Sequence, residues 1–304
     1  MPTAAAPLTT RTEPAAPAPN RRRRLRAGRH GLILPALLWT LLFFVVPLGL
    51  MVVYSFGQID IITFQTTFGW TTENYRQLAN DIYIHTIIRS LEMSIGATIG
   101  CLLVGYPVAY TIARQRDRTQ TLLLLGVMIP FWTSFVVRTY AWVNLLSNDG
   151  LVTRGLHAVG LESESSQLIY TPTAVTIGIV YTYLPLMILP LFVALERIDP
   201  QLVQAAYDLG ASRFGVFRRV VLPLSMPGVI VGCILVGVPA TGEYTIPAIL
   251  GGDKTLMYGN VVANQFLKVG DYPFGSALAV SLMAFVTIFL LVTRSRLSHM
   301  EEVT

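Results

Sequence analysis

Charge is what this 304-residue sequence has least of: Asp, Glu, Lys and Arg together make up 13%, about half of the ~25% that coats a soluble globular chain. It has only two cysteines, Cys101 and Cys233, both inside long apolar runs, which excludes a disulfide-stapled secreted scaffold. Lysine is almost missing. Neither Lys254 nor Lys268 follows a glycine, so no phosphate cradle of the G-x-x-x-x-G-K-[ST] type exists and ATP is not expected to be handled on this chain. H-E-x-x-H and G-x-S-x-G are absent, and His30, His85, His157 and His299 lack metal-ligand spacing. The chain is therefore expected to be no enzyme, with no catalytic residue, no metal and no cofactor of its own. At the other extreme, 53% of the residues are hydrophobic, which excludes a disordered chain and leaves an integral membrane protein.

A helix crossing the hydrocarbon core needs ~20 mostly apolar residues. Six stretches qualify: Leu32–Phe56, Arg89–Ala113, Thr121–Leu146, Pro172–Leu195, Met226–Leu250 and Phe274–Val292. Continuous apolar runs, without ten-residue alternation, choose helices over a barrel. The first run is too long for a cleavable signal and lacks a small-residue cleavage site, so it is expected to stay as an anchor. The expected fold is all-α and polytopic. Residues 1–31 read as a disordered Arg-rich tail, 32–293 as a six-helix membrane domain and 294–304 as a C-terminal tail.

Orientation follows the basic residues. With the N-terminus inside, 16 of the 22 Lys and Arg fall on inner segments, among them Arg21 to Arg24, Arg114, Arg116, Arg118, Arg218 and Arg219. Seven acidic residues share that side, whereas the outer side holds ten acidic against six basic residues. Both termini are thus expected in the cytoplasm, as an even span count requires. The net charge of +5 is then an inner +9 and an outer −4, an orientation signal drawn to anionic lipid, not a nucleic-acid footprint.

The inner segment 196–223 carries the most local information. Asp199 can cap a helix, Pro200 suits its first position, and Gly210 can take the left-handed turn that stops it. Leu202, Ala205, Ala206 and Leu209 recur at i, i+3, i+4 and i+7, which predicts one apolar stripe on a helix of ~15 Å, too short to span.

Within this segment, Gln204-Ala205-Ala206, three residues, Gly210, nine residues, Val220, one residue and Leu222-Pro223 resembles the E-A-A-x(3)-G-x(9)-I-x-L-P loop. That signature belongs to the permease subunits of binding-protein-dependent bacterial ABC importers of the type I kind. The resemblance implies that Gln204, Ala205, Ala206, Gly210, Leu222 and Pro223 couple the chain to a cytoplasmic ATP-binding subunit. Gln204 replaces the family's glutamate, and Asp208 is a candidate to supply the negative charge. Further partners implied are a second homologous permease, a periplasmic substrate-binding protein and a second ATPase copy, with ATP and Mg held by the ATPase.

Similarity extends over roughly residues 32 to 293. Gly105-Tyr106-Pro107-Val108-Ala109-Tyr110, Arg138-Thr139-Tyr140-Ala141-Trp142, Gly242-Glu243-Tyr244-Thr245-Ile246-Pro247, Leu250-Gly251-Gly252, Gly259-Asn260-Val261 and Asp271-Tyr272-Pro273-Phe274-Gly275 resemble spermidine/putrescine permeases. Permeases for ferric iron, opines, aminoethylphosphonate and some amino acids share much of this pattern. A channel or ion-coupled carrier, needing no ATPase, is the reading from a different class.

Glu243 lies inside an expected span, where an ionised carboxylate faces a cavity or a partner. Gly237, Pro239, Gly242 and Pro247 interrupt the helix around it, as irregular backbone lining a path does. The expectation is that Glu243 lines the path and pairs with an ammonium group; the structural alternative pairs it with Arg138 or Arg89. Tyr244, Trp132, Tyr140, Trp142, Tyr181 and Tyr183 are candidate path aromatics able to stack on cations, or else belt and packing residues. Arg89 and Glu92, at i and i+3, are expected to pair with each other.

Overall fold

The structure, a computed structural model, describes residues 35–60, 66–67, 69–158 and 168–301. The expected tail 1–31, with Arg21 to Arg24, lies outside the described residues. Contacts divide the chain into Met1–Leu50 and Met51–Thr304. The described chain is helical from Pro35, and this helix, α1 (Pro35–Tyr54), has 20 residues with a π turn at Leu41–Val45, residues 35–50 belonging to the first unit.

In the second unit a two-strand antiparallel hairpin pairs β1 (Gln58–Ile59) with β2 (Thr66–Thr67). Asn74, buried on α2 (Glu73–Leu78), donates to the carbonyls of Ser55 and Gly57, both at 2.9 Å, and ties the hairpin's entry down. Then follow α3 (Asp81–Ala113), α4 (Asp117–Trp132), α5 (Phe135–Leu146) and α6 (Leu151–Ala158). The order continues with α7 (Pro172–Glu196), α8 (Pro200–Asp208), α9 (Arg213–Thr241), α10 (Tyr258–Asn264) and α11 (Tyr272–Glu301). Five of the described helices are long and apolar enough to cross a membrane, or six if the bent pair α4–α5 is one span.

Helices α3, α7 and α9 pack on one another most extensively. The reason lies in small residues at the crossings: Gly178 on α7 is so close to the segment after α9 that a Cβ there would meet Leu250 Cδ1 at 2.5 Å and Ile246 Cγ2 at 2.9 Å. Between the helices one buried cluster contains Met93, Val175, Ile179, Ile246 and Leu250, and another contains Cys101, Ile112, Met187, Leu191 and Val236. Buried hydroxyls are satisfied in place. Ser94 donates to the carbonyl of Gly237 at 2.8 Å, and Thr241 to Ser94 Oγ at 3.1 Å, as helices in lipid require.

Four spans differ from those read in the sequence. The second helix starts at Asp81, eight residues before Arg89, and its 33 residues reach ~50 Å. The expected third span Thr121–Leu146 is not one straight helix: Asp117–Trp132 and Phe135–Leu156 meet at 91°. Thr133 and Ser134 are extended there, with ψ of 156° and 128°, and Thr133 turns its hydroxyl back onto the carbonyl of Pro130 at 2.7 Å. Hydropathy does not register such a turn, because the residues on both sides are equally apolar. The fifth helix begins at Arg213 and ends at Thr241, short of Leu250, because Gly242 and Pro247 bracket a break before the π turn Pro247–Gly251. Finally, α11 runs on through Glu301, into the stretch read as a tail.

Candidate functional site

The loop between α7 and α9 is built from local rules. Asp199 Oδ1 accepts the amide of Gln201 at 2.8 Å, Pro200 takes the first helical position, and α8 runs to Asp208. Gly210 follows at φ +81°, its amide on the carbonyl of Tyr207 at 2.9 Å, while Ala211 N reaches back to Ala206 O at 3.1 Å. That pair of bonds closes a Schellman stop. Ser212 then caps the next turn through the amide of Gly215 at 3.2 Å, and the chain enters α9 with a π turn at Phe217–Val221.

The face that α8 turns to its own chain is not the expected stripe. Val203 and Ala206 are half-buried against the α3–α7 core, whereas Leu202, Ala205 and Leu209 are exposed, Leu209 at 89%. The stripe followed the i, i+3, i+4, i+7 spacing and so left out Val203, yet Val203 and Ala206 are the apolar side chains of α8 that point toward the bundle. Uncovered apolar side chains therefore run from Leu202 and Tyr207 through Leu209 to Phe214. On the same helix the Gln204 amide donates to Asp208 Oδ1 at 3.3 Å, so the two residues considered for the family's acidic role are joined. Leu222 is half-buried and Pro223 exposed at the start of the apolar part of α9.

The loop is wired to the bundle by aromatics that the sequence reading did not single out. Phe217 meets Tyr106 and Tyr110 of α3 edge-on, with centroids 5.7 and 6.4 Å apart, and Tyr106 shares a 2.8 Å hydrogen bond with Ser225 of α9. Both tyrosines lie in the Gly105–Tyr110 motif, so their spacing of four was the available signal. A cleft of about 480 Å³ opens beside α8, lined by Tyr110, Arg114, Glu196 and Gln204 among others. There the Arg114 guanidinium sits 4.1 Å from the Tyr110 ring centre, and Glu196 accepts from Gln120 at 2.9 Å.

The second candidate region is the break after α9. Glu243 is buried, 8% exposed. Tyr183 of α7 donates to its Oε2 at 2.6 Å, and the amides of Thr245 and Ile246 donate to Oε1 at 2.9 and 3.3 Å. Neither Arg138 nor Arg89 is its partner. The ion pairs among the described residues are Arg76–Glu73 and Arg154–Asp149, so Arg89 and Glu92 do not pair either; both side chains point outward, exposed. Arg138 lies 5.8 Å from the Phe131 ring, with its Nε buried and unpaired.

Of the expected aromatics, Tyr183 meets Glu243, and Trp142 packs edge-on to Tyr181 at 5.4 Å. Tyr244 is 49% exposed beside the break, while Trp132 and Tyr140 stand exposed on either side of the α4–α5 bend. Those three are not brought into contact with one another. Asn260 of α10, quoted above only within a motif, donates to the carbonyl of Tyr244 at 2.7 Å. No group of His, Cys, Asp and Glu among the described residues could hold a metal ion.

Residues 102–298 match the family described as binding-protein-dependent transport system inner membrane component. The chain is similar to the spermidine/putrescine transport system permease protein PotB of Escherichia coli (strain K12), 38% identical over 84% of this chain and 92% of that one. It is 41% identical to the protein of the same name from Haemophilus influenzae, over 84% of this chain and 88% of the relative. Its fold resembles a solved bacterial alginate ABC transporter in complex with an alginate pentasaccharide-bound periplasmic protein. The TM-score is 0.66 and the identity 16%, covering 90% of this chain and 95% of that one. The chain belongs to the binding-protein-dependent transport system inner membrane component family and is a multi-pass inner-membrane permease subunit of an ABC importer, not an enzyme.

Proposed function

We propose that this permease forms half of the translocation path for a polyamine of the spermidine/putrescine kind. A periplasmic binding protein delivers it, and ATP hydrolysis on two partner ATPase subunits drives the passage. The observation that carries the cargo is the identity of 38–41% over most of the chain to relatives of that transport class. The acidic outer balance of ten carboxylates against six basic residues agrees, since an acidic entrance concentrates a polycation.

In this reading both termini are cytoplasmic and a second homologous permease completes the path. ATP and Mg belong to the ATPase alone. Helix α8 is the lever. Leu202, Ala205 and Leu209, uncovered on this chain, are what a groove on the ATPase would cover, with Gln204 and Asp208 at its rim. Movement of α8 passes through Gly210, Leu222 and Pro223 into α9 and through the Phe217–Tyr106–Tyr110 contacts into α3. Tyr244 lines the path next to Glu243 and Tyr183, with Trp132, Tyr140 and Trp142 nearer the outer rim. The test is uptake of radiolabelled spermidine and putrescine in a strain deleted for this chain and complemented with it. Restored uptake, competed by unlabelled polyamine and not by ferric iron or amino acids, is expected. Unchanged polyamine uptake on deletion overturns the cargo.

A further inference from the structure

A carboxylate inside a membrane domain normally marks a cation partner, and Glu243 has none. Its two oxygens instead take three donors from two segments: the Tyr183 hydroxyl at 2.6 Å and the amides of Thr245 and Ile246 at 2.9 and 3.3 Å. Those amides open the turn that follows the break, so the side chain caps it as an N-terminal carboxylate would. Asn260 works from the other side. Its Nδ2 donates to the carbonyl of Tyr244 at 2.7 Å, while its Oδ1 accepts the amide of Met257 at 3.1 Å. The peptide units that follow Tyr244 are thus held from two directions, by α7 through Tyr183 and Glu243 and by α10 through Asn260. Gly259, next to Asn260, lies so close to the carbonyls of Gly242 and Glu243 that no side chain fits between α10 and the break. Within this frame Glu243 is 8% exposed and Ile246 fully buried, yet Tyr244 is 49% exposed.

We infer that Glu243 and Asn260 are positioning residues: a buried clamp holds the break after α9 so that the Tyr244 ring projects into the path, and Glu243 acts on the cargo through Tyr244. This rests on the reading of Tyr244 as a path residue. It separates two properties of Glu243 that the sequence left joined, its charge and its ability to accept hydrogen bonds. Glu243→Gln removes the charge, but its Oε1 still accepts the two amides and its Nε2 can donate to the Tyr183 oxygen. Glu243→Ala removes the clamp, and Asn260→Ala removes its other half.

The experiment uses the assembled transporter with binding protein and ATPase in proteoliposomes. Spermidine uptake is measured alongside the rate at which Tyr244→Cys reacts with a membrane-impermeant thiol reagent, with Cys101 and Cys233 as background. Glu243→Gln is expected to keep the thiol rate and to leave KM near that of the parent. Both Glu243→Ala and Asn260→Ala are expected to shift the thiol rate and to raise KM, with kcat changed less. The rise is about tenfold for Glu243→Ala, the size of a lost hydrogen bond to a charged group, and about fivefold for Asn260→Ala, the size of a lost neutral one. Equal KM increases in Glu243→Gln and Glu243→Ala would overturn the inference, because charge would then be what the cargo reads. Thiol rates unmoved by both alanine variants would overturn it as well. Should Glu243→Ala not assemble, Tyr183→Phe removes one donor and keeps the ring; it is expected to shift the thiol rate by a smaller factor, and no shift overturns the clamp. A parent transporter that moves no polyamine refutes the cargo, while the thiol rates still decide the clamp.

Discussion

Replacing Gly210 by alanine isolates the stop of the coupling helix from everything else. A Cβ at Gly210 has no atom within 4 Å, so the substitution makes no clash and its whole effect is conformational. At φ +81° a residue with a Cβ costs ~1–2 kcal/mol more than glycine, and the stiffer unfolded chain returns ~0.4–1 kcal/mol. A net loss of about 1 kcal/mol remains, about a fivefold shift in an opening equilibrium. It should fall on α8 alone. The helix has nine residues, fewer than the ~12–15 that hold together unaided, and only Val203 and Ala206 are half-buried among its residues. The assay is amide hydrogen exchange at Leu209, residue 210 and Ala211, whose acceptors are Ala205, Tyr207 and Ala206. Exchange there should speed up about fivefold in Gly210→Ala and less in Gly210→Asn, because asparagine tolerates the left-handed region. Unaltered exchange at these three amides, or acceleration spread equally through α7 and α9, would refute a locally stopped helix.

Other perturbations follow the same logic. Asp199→Ala removes the cap bond to Gln201 and should destabilise α8 by about 1 kcal/mol, read as faster exchange at Gln201 and Leu202 with the rest of the bundle unchanged. Leu209→Asp changes an 89% exposed side chain, so stability should stay within ~0.5 kcal/mol while ATPase co-purification falls sharply; normal co-purification would remove Leu209 from the docking face. Ala205→Trp, also exposed, should block docking by bulk without lowering the melting temperature in detergent. By contrast, Gly178→Val drives side-chain atoms into Leu250 and Ile246 and should cost about 1–3 kcal/mol, seen as a lower melting temperature.

What the residues determined alone was chemistry that closes within a few positions of the chain. The run Asp199-Pro200 through Gly210 specified a capped and stopped helix because cap, first turn and stop bond to neighbours three to five residues away, and the structure has these bonds. Apolar length likewise announced the membrane domain, since a span needs only a continuous run. The tertiary structure decided the rest. Periodicity could list Leu202, Ala205, Ala206 and Leu209 but not say which of them the bundle covers, because that depends on where α3 and α7 lie. The bend at Thr133–Ser134 is silent in hydropathy. Glu243 shows the limit most clearly: an intramembrane carboxylate was legible as one that needs a partner, but its partner is a hydroxyl 60 residues away on α7. Only packing brings Tyr183, the break and Asn260 together, and only packing makes a charged residue into a buried acceptor.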